Sequence, residues 1–373
     1  MLENIYDSQT SPVSQKELNP ILSAHERFAG HQGGARAHLA GRRLDGLNLA
    51  NRMLTEMDFS GASLVGATFY GSNLQRASFY CADLRGCNLQ AANLIRADMR
   101  GASFRGANLS YAVMDGGDLR AARMMVVSPK GTSITDRSTT SADHGSSRKS
   151  DGVDFSNCSL KNASFGNAKL ENADFSGAIL EGVKFKGATL KNVNFHGAVL
   201  TGIDLKDLAV PAEALKGCIM DVSPESAAKA DALKAMLEAH EHWFLNDGRG
   251  GAPAVVDGED LRPLQGSTAG RRLAGLSARG AIAIGLNFSE THLQAAKFDN
   301  ADLRGADFSG CDLRGVSFRG ANLSHAAFMK ARLGSLRLAG GGEVVPDLTG
   351  AICSSQHLVQ AQVECSLEEF HLV

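Results

Sequence analysis

The sequence predicts an all-β solenoid in two duplicated modules, and three observations predict it. First, every fifth residue from 39 to 124 is Leu, Phe or Met without a miss, and the same beat returns over 155–205 and 288–338. A period of five fits neither the 3.6 residues of a helical turn nor the alternation of a flat strand, so the chain must turn a corner after each short extended step. Second, the beat itself alternates in the later runs: Phe155, Leu160, Phe165, Leu170 and onward to Leu200, and again from Phe288 to Leu333. Third, the chain repeats on a larger scale. LSAHERF at 22–28 matches LEAHEHW at 237–243, and AGRRLDGL at 40–47 matches AGRRLAGL at 269–276. Each copy reads as a helix, a glycine-rich connection and a run of coils, which means two related modules.

The residues around the beat repeat as well. In ANLIRADMRGASFRGANLSY, residues 92–111, a small residue stands two positions before each large apolar one (Ala92, Ala97, Ala102, Ala107). Asn, Asp or Ser stands one position before it (Asn93, Asp98, Ser103, Asn108). If Leu or Phe fills the axis, the small residue fits the cramped space beside it and the others face water or form the turn. The pattern resembles the pentapeptide-repeat family, with its motif A-[D/N]-L-x-x, over roughly two thirds of the chain. The resemblance implies that four such sides make a coil of about twenty residues, wound as a right-handed quadrilateral parallel β-helix with coils about 4.8 Å apart. On that coil the Phe/Leu alternation places Phe on Phe along two opposite faces and Leu on Leu along the other two. The first run loses the alternation between Leu84 and Met99, so a less regular core is expected there.

In chain order, residues 1–32 form an N-terminal segment with a capping helix over about 15–29. Residues 33–222 form the first module, interrupted at 126–151. Residues 223–263 form a helical spacer and connection, 264–353 the second module and 354–373 a C-terminal cap. The second helix starts well: Ser223 as N-cap, Pro224 in the first turn and Glu225 as early negative charge. Its apolar stripe reads Leu233, Met236, Leu237, His240, Trp243 and Phe244. An open solenoid end exposes core and unpaired strand edges, so the helices are expected to be caps or spacers. At the C-terminus, Leu358, Val359, Val363, Leu367 and Phe370 could line one side of a short helix.

The Ser/Thr-rich stretch VVSPKGTSITDRSTTSADHGSSRKSD at 126–151 lacks residues for a core, so it predicts an exposed, mobile loop. Its position resembles that of the loops by which some gyrase-protecting relatives engage their target. Two readings stay open: an excursion without function, and a partner-contacting loop.

The seven cysteines have no metal spacing. Cys87, Cys158 and Cys311 take the small-residue slot as compact apolar groups. Cys81 falls at an outward position and is expected to be the reactive thiol. HEHW at 240–243 and HERF at 25–28 lack the second histidine of a zinc-peptidase helix, since Phe244 and Ala29 stand there. His25 and His240 recur at matching places, which suggests a shared packing or capping task. Gly33–Gly34 and Gly250–Gly251 lack the downstream Lys-Ser/Thr of a phosphate loop and read as turns. The Asp and Ser residues of the coils are explained by the motif, where a short polar group bonds to nearby backbone. The sequence therefore predicts no catalytic residue, no cofactor and no metal. No apolar stretch is long enough to span a bilayer, and the N-terminus lacks the start of a secretory signal, so the cytoplasm is the expected location.

One surface feature stands apart. At twenty residues per coil, Arg76 lies under Arg96, Arg85 under Arg105 and Arg100 under Arg120. Stacked like charges repel by a few tenths of a kcal/mol per pair. They form either a basic patch for an acidic protein or nucleic acid, or a solvated face balanced by nearby carboxylates. Arg and Lys outnumber Asp and Glu by 11 to 7 over 33–125 and 10 to 7 over 264–353, and equal them at 6 over 152–208. Some family members are thought to imitate anionic DNA and bind gyrase, a role these neutral-to-basic coils disfavour. The expectation is a non-enzymatic scaffold or protein-binding solenoid of bacterial type, with an unidentified protein partner, no direct nucleic-acid binding, and an oligomeric state left open that includes an end-to-end dimer.

Overall fold

Four short sides, each ending in a left-handed corner, give the chain its square section. In the computed structural model, which describes residues 12–128, 131–137, 152–353, 358 and 361–363, parallel bridges join residues twenty apart. One side runs His38, Asp58, Ser78, Asp98, Asp118; the next Arg43, Ser63, Asp83, Ser103; the third Asn48, Thr68, Asn88, Asn108; the fourth Met53, Asn73, Asn93, Val113. The corner lies two residues after each core residue, with φ of 66° at Gly61, 56° at Arg96 and 53° at Asn157. That conformation turns the chain too sharply for a continuous strand, so each side is a single rung. The residue before each core position closes the local turn: the Asp58 carboxylate accepts from the Ser60 N–H at 3.0 Å, Asp154 from Ser156 at 2.8 Å and Asn322 from Ser324 at 3.1 Å.

The chain divides into two compact units, Met1–Asp221 and Val222–Val373. The first has an unbroken core from Leu39 to Ile203. Phe155 stacks on Phe175 at 4.9 Å, Phe175 on Phe195 at 5.3 Å, and Phe165 on Phe185 at 5.4 Å. Rings on the two opposite faces meet edge-on across the axis, as Phe155 and Phe165 do at 5.7 Å. The alternation thus produces two stacked columns in T-shaped contact, a geometry favoured by the ring quadrupole. The second unit repeats it with Phe288 on Phe308 on Phe328, and Phe298 on Phe318.

The interruption of the first unit differs from its predicted form. Strands β1 (Ala122–Ser128) and β2 (Gly131–Arg137) form an antiparallel hairpin that pairs Ala122 with Arg137 and Ser128 with Gly131. Met124, the last hit of the first run, lies in β1. The β-branched and apolar run Met124–Met125–Val126–Val127 favours this extended pairing over a loop. The rest of the predicted loop, 129–130 and 138–151, lies outside the described residues. On three sides the ladder resumes directly, as Asn108 pairs with Asp154, Val113 with Ser159 and Asp118 with Ser164. The register step there is forty-six residues instead of twenty, so twenty-six are inserted.

Both units carry helical caps. Helix α1 (Gln15–Ala29) opens with a capping box at Ser14 and Glu17 and buries Leu18, Leu22 and His25. The first unit ends on a cap the sequence reading missed: α2 (Leu205–Leu208), N-capped by Asp204, and a 3-10 turn at Ala212–Leu215. Leu208, with partly buried Val210 and Leu215, packs against the core there. In the second unit, Ser223 caps α3 (Pro224–Ala228), and after a break at Lys229 follows α4 (Ala230–Leu245). Its buried stripe is narrower than predicted: Leu233, Leu237 and His240 are inside, whereas Met236 and Phe244 are 39% exposed.

Ten extra residues interrupt the second unit near its end, where Ser317 pairs with Asp347 and Asn322 with Ile352. They carry a short hairpin, β4 (Leu336–Arg337) with β5 (Glu343–Val344), preceded by β3 (Arg332–Leu333). Leu338, counted on the beat, is therefore exposed, while Leu348 and Cys353 of the DLTGAIC stretch return to the core. Strand β6 (Gln362–Val363) pairs in parallel with β3, so Val363 extends a coil and does not line a helix. Leu358 is buried; Val359, Leu367 and Phe370 lie outside the described residues.

Candidate partner-binding surface and the histidine–glutamate anchors

The arginine columns have the predicted coil positions, and neighbouring carboxylates hold most of them. In each Asp-(Leu/Met)-Arg step the two charged side chains flank a core residue and point outward together, so they meet in a forked pair. Arg85 bonds Asp83 through Nε at 2.8 Å and Nη2 at 2.7 Å. Arg100 does the same with Asp98 and Arg120 with Asp118, at 2.8 and 2.6 Å. Arg100 also lies 5.3 Å from the Tyr80 ring centre. The second unit repeats the fork at Asp260–Arg262, Asp302–Arg304 and Asp312–Arg314. Burial acts to raise the Asp118 and Asp312 carboxyls, but the bonds from Arg120 and Arg314 outweigh it and hold both below the ordinary range. Arg105 is half-buried, and Arg76 reaches Glu56 at 3.5 Å. Arg96 is exposed at its corner, with no ion-pair partner among the described residues. The columns thus read chiefly as a balanced face, with Arg76 and Arg96 its most available cations.

The duplicated histidines have a defined job. The first coil lacks a coil before it, so its outer backbone groups need partners. On one side Val13 supplies backbone, donating to Arg43 O at 3.0 Å. On the next, the Gln15 amide accepts from Asn48 N–H at 2.7 Å and donates to Asn48 O at 2.9 Å. On the third, Glu26 accepts from Met53 N–H at 3.3 Å and holds Arg52 at 2.7 Å, and His25 contacts Thr55 O at 3.0 Å. In the second unit Glu241 accepts from Arg272 N–H at 2.9 Å and holds Arg271 at 2.6 Å, while His240 contacts Ala274 O at 3.0 Å. The His-Glu pair is a side-chain substitute for a missing strand. Gln15 has no distinctive local signal and was not anticipated.

These contacts also realign the duplication. Residues 269–273, AGRRL, meet their helix as residues 50–54, ANRML, meet theirs, ten residues further along than the sequence match to 40–44. Accordingly Thr268, fully buried and bonded to Asn287 O, takes the place of Leu49.

The thiols in the small-residue slot are structural. Cys87, Cys158 and Cys311 each donate to a carbonyl of the preceding coil, at Leu64, Leu109 and Phe288, at 2.7 to 2.8 Å. Burial pushes Cys87 and Cys311 up to about 12 and Cys158 well above its ordinary value. Cys81 corrects the sequence reading: it is only 5% exposed, and its thiol lies in hydrogen-bonding reach of the neighbouring Tyr80 side chain. Among the described residues no group of His, Cys, Asp and Glu could hold a metal ion. None of their helices is long and apolar enough to cross a membrane.

A family profile described as pentapeptide repeats matches the chain in 8 copies, over 54–124, 151–207 and 272–334, just over half its length. No curated protein matches it. Among solved structures, HetL, a protein involved in heterocyst differentiation regulation from the cyanobacterium Nostoc, is 18% identical. The match covers 95% of this chain and 94% of HetL, with a TM-score of 0.23. QnrB1, a plasmid-mediated fluoroquinolone resistance protein, is 20% identical over 52% of this chain and 90% of its own, with a TM-score of 0.24. A protein of the Arabidopsis thaliana thylakoid lumen is 24% identical over 35% and 70%, with a TM-score of 0.22.

Proposed function

Because the chain belongs to the pentapeptide-repeat family, we propose that it is a non-enzymatic, cytoplasmic scaffold that binds a protein partner through the excursion in its first unit. Right-handed quadrilateral coils would serve as a rigid mount. The observation that carries this reading is the ladder across the insertion: twenty-six extra residues leave Asn108–Asp154, Val113–Ser159 and Asp118–Ser164 in register. A segment the stack does not need for its own pairing is free to serve recognition. Arg76 and Arg96 are the arginines most available to an acidic group on the partner, and the forked pairs leave Arg85, Arg100 and Arg120 a lesser share. Both ring nitrogens of His25 and His240 are occupied by backbone groups, which argues against acid–base work at the duplicated helices.

The test is affinity capture from the native host with the full chain and with residues 126–151 deleted. That deletion joins Met125 to Gly152 and keeps Leu119, Met124 and Phe155 five residues apart. A partner bound by the full chain and lost from the deleted one is expected; an identical set of partners overturns the reading. A DNA mimic acting on gyrase is the alternative, and the neutral-to-basic coils argue against it. Inhibition of gyrase supercoiling, or its protection from a quinolone, at micromolar protein would replace the scaffold reading.

A further inference from the structure

We propose that both capping helices are acid-released: protonation of His25 and of His240 undocks each helix from its own coil and bares the backbone edge beneath. Hydrogen-bond polarity fixes the protonation state of each ring. Each imidazole is fully buried. His25 Nδ1 accepts from the Ala37 N–H at 3.1 Å and so carries no proton, which leaves Nε2–H to donate to Thr55 O at 3.0 Å. His240 does the same between the Ala254 N–H at 2.8 Å and Ala274 O at 3.0 Å. Only the neutral ring can accept and donate at once. A second proton on Nδ1 points at a backbone N–H, losing the bond that ties the connection to the helix and placing a charge in a buried site.

The surroundings offer little compensation. Around His25 stand Glu26 on its own helix, Arg36 on the connection and Glu56 on the coil, with Glu26 already bound to Arg52. Around His240 stands Glu241, already bound to Arg271. Burial holds both imidazoles below the ordinary histidine value. The free helix titrates at the ordinary value, so the undocked state binds the proton first. Docking is therefore intact above about pH 6.5 and weakens as the pH falls toward the docked value, by up to tenfold per pH unit for each helix. What opens is the side where helix side chains are the partners of Met53 N–H and Thr55 O, or of Arg272 N–H and Ala274 O. An edge so bared is a template for another strand.

Amide hydrogen exchange of the full-length protein between pH 7.5 and 5, corrected for intrinsic rates, tests the proposal. The Ala37 and Ala254 amides and the amides of α1 and α4 are expected to lose protection tenfold or more, while Leu94 and Leu303 in the coils keep theirs. Imidazole NMR should show His25 and His240 titrating below the ordinary histidine value. Protection of α1 and α4 unchanged to pH 5 overturns the proposal, as does an equal loss in helices and coils. A His25→Gln, His240→Gln double variant that keeps the same acid response also overturns it.

Discussion

The coils and the excursion at Ala122 employ their residues in opposite ways. In the coils many polar side chains are committed to the stack itself: Asp58 and Asn322 close their own turns, Asp83, Asp98 and Asp118 clasp their own arginines, and Cys87 and Cys158 bond the coil before. The excursion adds twenty-six residues without shifting the ladder on three sides. The lesson is that a solenoid separates stability from recognition, because each coil depends on its neighbours and not on what projects from it. Changes to the coils should therefore be costly and changes to the excursion cheap.

The largest effect is expected from the ring columns. Phe175 touches Phe155, Phe165, Phe185 and Phe195, and Phe175→Ala should destabilise by about 3–5 kcal/mol in urea titration. A loss below about 1 kcal/mol would mean that the columns are not the core they look to be. Next come the corners. Gly177 has φ 67°, and an added Cβ would collide with the Asn157 carboxamide, whereas Gly258, at φ 72°, faces open space. Gly258→Ala should cost about 1–2 kcal/mol for the left-handed backbone alone, and Gly177→Ala measurably more by thermal melting. Equal costs would show that the Asn157 side chain moves freely aside. A smaller effect follows at the wall: Arg120→Ala, removing a fork whose arginine is 53% exposed, should change stability by less than about 1 kcal/mol.

Much of this architecture is legible in the sequence because a five-residue period closes on itself after four sides, which fixes which residues stack. Phe165 on Phe185 follows from that arithmetic, as does the burial of Cys87, Cys158 and Cys311. What depends on contacts across thirty residues is not legible. His25 shows its recurrence in the sequence but not its bond to Thr55, and Gln15 gives no sign that its amide completes a rung at Asn48. The matched AGRRL segments mislead by ten residues because the helix anchors, and not local similarity, set where the first coil begins. Cys81 reads as outward from the motif alone, which carries no sign that the thiol is buried beside Tyr80. The beat also continues by chance through Leu338, where a hairpin has taken over, since periodicity cannot tell a core leucine from an exposed one.

The separation of stability from recognition is tested most directly by melting the full chain and the chain lacking residues 126–151 side by side, with partner capture on the same two samples. The account predicts melting temperatures within about 2 °C of one another, and a partner held only by the full chain. A drop in melting temperature as large as that of Phe175→Ala would place the excursion within the core, and a partner held equally by both chains would remove it from recognition.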